Sequence, residues 1–516
     1  MHQTVWYLLS SLAMLLICTG ACGAEQVRQQ LQKGDAFHVV VNAGRVVRPA
    51  NHRVLGVSFF QQWDYLPIYD RNSGEWILSE RSTEAIRSLR LPFSRLYWMD
   101  QSRPGRPSWD LKGSIDRAAE MCRRFGIKEE EFVLEPELQR HSNEMSPEKW
   151  VEAVRYAQSK GYKFRYWEIC NEPWGLGGPG DDPWTAEGYV AHVKAVYQAV
   201  KAVRPELRVG ASAGVGPFNV FGGTQTYDPI LANAAGYYDF IAPHFYCHLK
   251  DLDQIPFERI TFEGNAWILN SYVMKTRELL QQCNPGKQIE ILDTEWGMHG
   301  YNHGEDVRAD DSNRNSNIAG TLHRTIRMIY YLNEGLVDAA GQWCILSPAN
   351  RPGFSIVSYN DDRQFLLYYL NYYLGRYVGD EVLDVSGTCP YYEKRGVATD
   401  YHWITEKYDV SLPKAPVVAT RSKDGKHVYL VVANGTAAES LPCRVELKGF
   451  RAKAAEGKRL TQADIDAPAL VEKESDVMSV LPVQLSDGGQ AIGFECAPHS
   501  VSFISISGEA EGSREG

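Results

Sequence analysis

The chain of 516 residues is longer than one hydrophobic core usually serves, which predicts a large domain and a smaller one. Hydrophobic residues make up 44% and charged residues 23%, an ordinary balance that excludes extensive disorder. The formal net charge of −10, with no basic cluster interleaved with aromatic residues, excludes nucleic acid as a partner. The 13 Trp and 28 Tyr suit a neutral carbohydrate, whose C–H faces stack on flat rings, although most of them are expected in the core.

The N-terminus carries an apolar run, VWYLLSSLAMLLIC, followed by small residues up to Ala24. This pattern predicts a signal peptide over residues 1–24 and a secreted or periplasmic protein. Because no Lys or Arg precedes the run, a membrane anchor is an alternative, but the run is short for a stable membrane span. The tetrapeptide TGAC loosely resembles a bacterial lipobox, so a lipoprotein anchored through Cys22 is a second alternative.

Residues 51–375 alternate short β-rich runs with amphipathic helical stretches, which is typical of a parallel α/β architecture. The eight predicted strands are Arg53–Phe60, Leu91–Trp98, Glu131–Glu137, Phe164–Cys170, Leu207–Ala213, Tyr238–Phe245, Gln288–Thr294 and Asp338–Ile345. Between the third and fourth, Ser146 and Pro147 supply an N-cap and a first helical residue. Eight strand–helix repeats predict a TIM (β/α)8 barrel rather than an open doubly wound sheet.

Residues 376–508 show a different pattern, in which segments such as HVYLVVANG and CRVELKGF alternate apolar and polar residues. This predicts an antiparallel β-sandwich domain. The strand-like stretch Phe37–Val47 within residues 25–50 is expected to join the sandwich, and residues 509–516 are expected to form a disordered tail. Eight cysteines would remain in the mature chain, without the spacing of a zinc site. Of these, Cys443 and Cys496 on predicted strands are the favoured disulfide pair.

Two glutamates follow predicted strands four and seven, in the motifs YWEICNEP and ILDTEWG. Catalytic groups of a TIM barrel lie at the C-terminal strand ends, so Glu172 and Glu295 are expected to face each other across the mouth. Cleavage of a glycosidic bond needs one carboxylic acid and one carboxylate on opposite faces of the sugar. At a separation of about 5 Å, Glu295 would attack the anomeric carbon, with Glu172 as acid and then base, and the anomeric configuration would be retained.

The motifs WEICNEP and DTEWG resemble the signatures of clan A retaining glycosidases, and most closely those of the α-L-arabinofuranosidase and β-xylosidase/α-L-iduronidase families. The resemblance covers most of the predicted barrel. It implies a TIM barrel with an added β-sandwich. It also implies that Glu172 is the acid/base, Glu295 the nucleophile and Asn171 a ligand of the sugar 2-hydroxyl.

Other strand ends supply predicted substrate-binding and supporting residues: Arg95, Glu137, His244, Tyr246, Trp296 and Trp343, with Gln61, Gln62 and Trp63 lining the same mouth. Arg95 and Tyr246 are expected to keep the nucleophile ionised, and Trp343 to form a floor under the sugar. For His244, a buried core histidine is the alternative.

Rival carboxylates are Glu135 and Glu137 after strand three and Glu168 on strand four. Glu168 shares a face with Glu172 by the period of two, but it is expected deeper in the barrel as a structural carboxylate. The loop after strand seven carries His299, His303, Glu305, Asp306, Asp310, Asp311 and Asn313. Their irregular spacing matches neither a zinc motif nor a calcium loop, so no metal and no cofactor is predicted.

The leading hypothesis is hydrolysis of a plant or algal polysaccharide, or of its oligosaccharides, outside the cytoplasm. Transglycosylation is the alternative within enzymes. A carbohydrate-binding protein on a degenerate scaffold would lack one of the two glutamates. A structural protein of the cell surface would keep its function when both glutamates are replaced by glutamine.

Overall fold

The computed structural model describes residues 28–60, 68–70, 73–97, 111–137, 145–173, 184–214, 229–301, 312–350, 354–398, 400 and 407–510. Several sequence predictions lie outside these ranges: the signal peptide with Cys22, the mouth residues Gln61, Gln62 and Trp63, the loop residues His303, Glu305, Asp306, Asp310 and Asp311, and the tail beyond residue 510. Within the described ranges, no helix combines the length and apolar character needed to cross a membrane.

Eight parallel strands close into a barrel, as predicted. They are β1 (Gly56–Phe60), β2 (Ser94–Tyr97), β3 (Phe132–Leu134), β4 (Tyr166–Ile169), β5 (Arg208–Ala211), β6 (Phe240–Ile241), β7 (Glu290–Tyr301) and β8 (Ala339–Gln342). Each strand pairs with the next along the chain, and β8 pairs with β1. Most are shorter than predicted. The exception is β7, whose extension pairs with an additional strand, Tyr246–Lys250.

Helices alternate with the barrel strands. The α-helices are α1 (Glu80–Ser88), α2 (Leu111–Phe125), α3 (Pro147–Ser159), α4 (Ala186–Val203), α5 (Pro229–Asn233), α6 (Gly264–Trp267), α7 (Met274–Cys283), α8 (Ile318–Glu334) and α9 (Leu366–Tyr377). The π-helical segment Arg259–Glu263 leads into α6, and a second, Ile268–Val273, joins α6 to α7, so the four segments form one continuous run. Helix α3 begins where the sequence predicts, with the Ser146 side chain accepting from the Lys149 amide. These helices bury their apolar faces against the outside of the barrel.

The lower half of the barrel interior is filled by apolar side chains. A cluster separate from the one under the helices consists of Phe93, Val133, Tyr166, Phe240, Leu292 and Ala339. Phe240 fits because Gly210 faces it: a Cβ added at Gly210 would lie 2.2 Å from the Phe240 ring. The apolar layer therefore closes the bottom of the barrel, and the polar residues of the strand ends lie above it.

The second region is an 11-stranded, mostly antiparallel sheet. Its strands in spatial order are Met478–Leu481, Phe450–Leu460, Ser500–Ala510, His427–Asn434, Val417–Arg421, Glu381–Cys389, Phe37–Pro49, Leu441–Lys448, Ala491–Cys496 and Gln484–Ser486, with Gln32–Lys33 beside Glu381–Cys389. Smaller sheets comprise Leu346–Ser347, Val357–Ser358, Gln364–Phe365 and Leu470–Val471, and the hairpin Tyr391–Ala398 with Lys407–Pro413. The strand from before the barrel lies centrally, between strands from after it.

Two expectations for the C-terminal region are wrong. The strand Ser500–Ala510 continues two residues into the predicted tail, because it pairs along its length with Phe450–Leu460. Cys443 and Cys496 are buried free thiols rather than a disulfide. The strand register explains this, since Cys443 lies opposite Phe494 and Cys496 lies opposite Leu441.

We expect Phe240→Ala to lower the free energy of unfolding by about 3–5 kcal/mol, because it removes an aromatic ring from the packed barrel interior and leaves a cavity. Urea unfolding followed by far-UV circular dichroism measures the change. The matched control is Val480→Ala, whose side chain is 72% exposed, with an expected change under about 0.5 kcal/mol. Equal effects of the two substitutions would contradict the assignment of Phe240 to the core.

Candidate active site

The ends of β4, β6 and β7 bring two carboxylates and an imidazole together at one end of the barrel. Glu172, His244 and Glu295 each place a side-chain N or O atom within 4.8 Å of those of the other two. The Glu295 side chain is 7% exposed and that of Glu172 is 21% exposed. Both glutamates therefore share one site, and Glu172 is the more accessible to a ligand.

The segment that carries Glu172 leaves β4 through a strained turn. Cys170 and Glu172 have φ angles of 60° and 44°, the left-handed region that costs a non-glycine residue about 1–2 kcal/mol. Neighbouring side chains hold this turn. The Tyr189 hydroxyl donates to the carbonyl of Ile169 (2.6 Å), and the Ser212 hydroxyl donates to that of Cys170 (2.7 Å). The backbone direction at Glu172 is thus maintained by α4 and the end of β5.

A fully buried arginine on β2 links three of the strand-end residues. Arg95 donates through Nε and Nη2 to both oxygens of Glu168, at 2.8 and 2.6 Å. Its Nη1 donates to Glu295 Oε1 (3.0 Å) and its Nη2 also donates to Asn171 Oδ1 (2.7 Å). One guanidinium therefore positions groups from β4 and β7 at once.

The Asn171 amide is oriented by its contact with Arg95. Because Asn171 Oδ1 accepts from the guanidinium, the orientation of the amide is set, and its NH₂ group is the remaining donor. Asn171 is nearly buried beside Glu172, so this donor lies next to the accessible carboxylate.

Glu295 receives a hydrogen bond on each carboxylate oxygen. Arg95 contacts Oε1, and the Tyr246 hydroxyl donates to Oε2 at 3.2 Å. Burial raises the pKa of Glu295, and repulsion from Glu172 raises it further, whereas His244 and Arg95 act in the opposite direction. The net effect raises the pKa of Glu295 to about 7.

His244 bridges the two glutamates. Its Nδ1 lies 2.9 Å from Glu172 Oε1 and 3.7 Å from Glu295 Oε2, and its Nε2 lies 3.1 Å from Thr294 Oγ1. Burial alone lowers the pKa of His244, but the adjacent Glu295 and Glu172 outweigh it, and the net pKa is raised. His244 and Glu172 are therefore within ordinary hydrogen-bond distance, and the two glutamates favour the protonated form of the imidazole.

Trp296 and Glu137 lie outside this cluster. Trp296 is fully buried on the opposite side of β7 from Glu295, with its ring against Tyr331 and under the Arg327 guanidinium. Glu137 is buried as well, and its Oε1 accepts from Trp150 Nε1 (2.8 Å) and contacts His192 Nε2 (2.8 Å). The expectation that these two residues touch a substrate does not fit their positions.

Trp343 is half-buried just beyond β8, where its amide donates to the carbonyl of Trp296 at 3.0 Å. The peptide bond between Trp343 and Cys344 is cis. Trp343 therefore lies beside the strand that carries Glu295. Its role as a floor under a sugar stays a prediction.

Glu168 lies deeper in the barrel, as expected, where it is fully buried in a bidentate pair with Arg95. Two supporting residues were not predicted: Thr294 contacts the far side of His244, and the Ser212 hydroxyl lies 3.2 Å from Glu168 Oε1. The sequence pattern could have indicated Ser212, because a polar residue that points into the barrel near a strand end is expected to pair with other such residues.

The donor atoms of Glu172, His244 and Glu295 are types that a divalent metal also uses. However, Arg95 and Tyr246 already donate to both oxygens of Glu295. A fixed guanidinium 3.0 Å from a ligand oxygen also opposes binding of a cation. The cluster is therefore better suited to acid–base and nucleophilic chemistry than to metal binding.

The similarity of this chain to known proteins lies in its structure. Neither the family models searched nor the curated proteins searched gave a match. The alpha-L-arabinofuranosidase from Thermotoga maritima, solved with arabinose, is 17% identical with a TM-score of 0.69, covering 92% of this chain and 100% of its own. The GH51 arabinofuranosidase from Xanthomonas axonopodis pv. citri is 14% identical with a TM-score of 0.66, at 92% and 100% coverage.

A monomeric beta-xylosidase from Caulobacter crescentus CB15 is similar as well, with 15% identity, a TM-score of 0.58, and coverage of 92% and 99%. The chain shares the fold of these three proteins. This confirms the predicted fold, a TIM barrel with a separate β-sheet region. At these identities the similarity concerns the fold.

We expect Glu295→Gln to remove a pH-dependent component of stability. Glu295 has a raised pKa, to about 7 from 4.5, so the native protein holds a proton that the unfolded chain has released. The stabilisation that Glu295 contributes is complete below the pKa of the unfolded chain, and it is lost as the pH rises through the pKa of the native protein. The unfolding free energy of the variant minus that of the wild type should therefore increase between about pH 5 and about pH 8.

Urea unfolding at a series of pH values measures this difference. The matched control is Glu187→Gln, at an exposed position in the first turn of α4. Its difference from the wild type should stay flat over the same range. A flat profile for Glu295→Gln as well would show that Glu295 has no raised pKa.

Proposed function

We propose that the protein is a retaining glycoside hydrolase, with Glu172 as general acid/base and Glu295 as nucleophile. The separation of the two carboxylates carries this proposal, because oxygens of the pair lie within 4.8 Å of each other. Retaining enzymes place their carboxyl groups about 5–5.5 Å apart, whereas inverting enzymes need about 6.5–9.5 Å to admit a water molecule.

In the first step, a Glu295 oxygen attacks the anomeric carbon while the bond from that carbon to the leaving oxygen breaks. Glu172 donates its proton to the leaving oxygen, which departs as an alcohol. The roles fit the surroundings. Arg95 donates to Glu295 and opposes the upward shift of its pKa, which lies at about 7, so the ionised nucleophile predominates above that pH. The more exposed Glu172 lies 2.9 Å from His244 Nδ1.

In the second step, Glu172 removes a proton from water, and the hydroxide attacks the anomeric carbon and releases Glu295. Each step inverts the anomeric carbon, so the product has the configuration of the substrate. The NH₂ group of Asn171 is available to donate to the sugar 2-hydroxyl, a contact that strengthens as positive charge develops on the ring.

For the substrate, we propose a plant or algal polysaccharide or its oligosaccharides. The fold is shared with proteins described as arabinofuranosidases and as a beta-xylosidase, which supports this class. We also propose that the protein acts after export, as a secreted or periplasmic enzyme, on the basis of the apolar N-terminal run. A binding protein on the same scaffold is less consistent with the site, because both glutamates are present and close together.

We expect Glu172→Ala to lower kcat/KM on unactivated glycosides by about 10²–10⁴-fold, because the leaving oxygen loses its acid. On aryl glycosides with good leaving groups, azide should restore turnover and produce a glycosyl azide of retained configuration. Glu295→Ala should form no glycosyl-enzyme, as measured by intact-protein mass spectrometry with a 2-fluoro glycoside that traps the intermediate.

Glu187→Gln is the control and should trap the intermediate like the wild type. A panel of aryl glycosides and polysaccharides identifies the substrate, and product analysis separates hydrolysis from transglycosylation. Unchanged rates in both alanine variants, on any glycoside that the wild type cleaves, would exclude the assignment.

Activity should not depend on a metal. Because Arg95 and Tyr246 occupy the Glu295 carboxylate, we expect dialysis against EDTA to leave kcat and KM unchanged. The check compares treated enzyme with enzyme given Zn²⁺ or Ca²⁺ afterwards. Activity that is lost with EDTA and restored by one ion would contradict this account of the cluster.

A further inference from the structure

Helix α8 carries a buried arginine that has no acidic partner among the described residues. Arg324 is 0% exposed, and its Nη1 donates to two backbone carbonyls, those of Asn315 (2.6 Å) and Gly320 (3.1 Å). Its Nε and Nη2 have no acceptor. Over the part of the chain that the structure describes, no carboxylate forms an ion pair with this guanidinium, unlike Arg95, which is equally buried.

The guanidinium lies against the extension of β7, two residues beyond the nucleophile. A Cβ added at Gly297 would lie 3.0 Å from Arg324 Nη2, so glycine leaves the room that the arginine occupies. Tyr246 and Cys344 lie near enough to interact electrostatically with it. The position is thus between the strand ends that carry Tyr246 and Glu295 and the segment after β8.

The neighbouring Arg327 adds positive charge near Arg324, and Asp293 lies near enough to interact electrostatically with Arg327 but forms no ion pair with Arg324 among the described residues. Arg327, one turn along α8, is also fully buried, and its donors go to Asn265 Oδ1 (3.3 Å), the carbonyl of Phe245 (2.5 Å) and His323 Nε2 (2.8 Å). His323 is neutral, because burial and Arg327 hold its pKa well below the usual value. None of these three partners carries a negative charge.

An uncompensated buried cation is costly. Burial and Arg327 lower the pKa of Arg324 to about 9, which still leaves the guanidinium charged at neutral pH. The effective penalty for burying an unpaired ion is several kcal/mol, and each unmade hydrogen bond adds about 1–3 kcal/mol. A bound negative ion that accepts from Nε and Nη2 would remove both costs.

Two further buried donors on the adjacent strand pair lack acceptors. Trp296, next to Gly297, has no partner for Nε1, and Gln342, which pairs with Trp296 between β7 and β8, has none for Nε2 or for Oε1. Together with Nε and Nη2 of Arg324 this makes four unpartnered donor nitrogens and one unpartnered acceptor oxygen, so donors are in excess in this part of the barrel.

We propose that Arg324 binds a small monovalent anion, chloride in ordinary buffers, through Nε and Nη2 beside the β7 extension. The two nitrogens are shielded from solvent, so a single-atom ion fits better than an acidic group attached to a sugar. The anion would neutralise the guanidinium next to Tyr246, the residue that donates to Glu295. This inference holds whether or not the protein is a glycosidase.

Bromide provides a direct test on the wild-type protein. Crystals soaked in sodium bromide should show an anomalous peak within about 3.5 Å of Arg324 Nε and Nη2, since bromide replaces chloride and scatters anomalously. A crystal structure with no peak there, or with a carboxylate of the chain on the guanidinium, would overturn the proposal.

Thermal unfolding gives a second test. The Tm of the wild type is measured in chloride and in gluconate at equal ionic strength, because gluconate is too large for a buried site. At a chloride concentration about a hundredfold above Kd, the Tm in chloride should be about 2–3 °C higher than in gluconate. Arg324→Met should lose this difference. Arg259→Met is the matched control, because Arg259 has Asp400 and Glu263 as acidic partners, and it should keep the difference at a lower Tm.

An equal chloride effect in Arg324→Met and the wild type would assign the effect to another site and overturn the proposal. If Arg324→Met does not fold, the anomalous peak in the wild type remains the deciding measurement. A third outcome is that an acidic sugar raises the Tm of the wild type, but only when halide is absent. The site would then bind an acidic group of a substrate, and this result would also overturn the proposal.

Discussion

The contact on which the site depends is the buried guanidinium of Arg95. It comes from β2, yet it donates to Glu168 and Asn171 from β4 and to Glu295 from β7. In the interior, two carboxylates without such a cation would repel each other strongly and would each lose several kcal/mol of solvation. The guanidinium offsets both costs and has a planar fork that matches carboxylate geometry. Charge compensation and alignment of the strand ends are therefore the same interaction.

Barrel closure is the complementary constraint. The eight strands run in parallel and in chain order, so every strand end reaches the same rim, and residues far apart in sequence become neighbours. Apolar side chains such as Phe240 fill the lower interior, which confines polar groups to the rim. The site therefore lies between the apolar layer and the solvent, where the side chains of Glu172, His244 and Glu295 are buried close together. The additional strand Tyr246–Lys250 extends this rim by pairing with β7.

The sequence was sufficient for the barrel, because each strand–helix unit has its own local pattern and the two glutamate motifs mark strand ends. It was less informative about side-chain environments. Trp296 was predicted to bind substrate from its place in a motif, but alternation along β7 directs it into the core. Glu137 pairs with Trp150 and His192, which lie 13 and 55 residues away on helices, and no local pattern encodes such partners. Likewise, the free state of Cys443 depends on strand register.

Three residues at the site, Cys170, Glu172 and His244, have left-handed backbone angles that glycine would adopt without cost. Larger residues there cost conformational free energy, but they fix the direction of the Glu172 side chain and of its imidazole neighbour. Substitutions that relax these positions to gain thermostability would disturb the arrangement of the two glutamates. For engineering, heat resistance is better sought in the β-sheet region, where backbone changes leave the strand ends of the barrel intact.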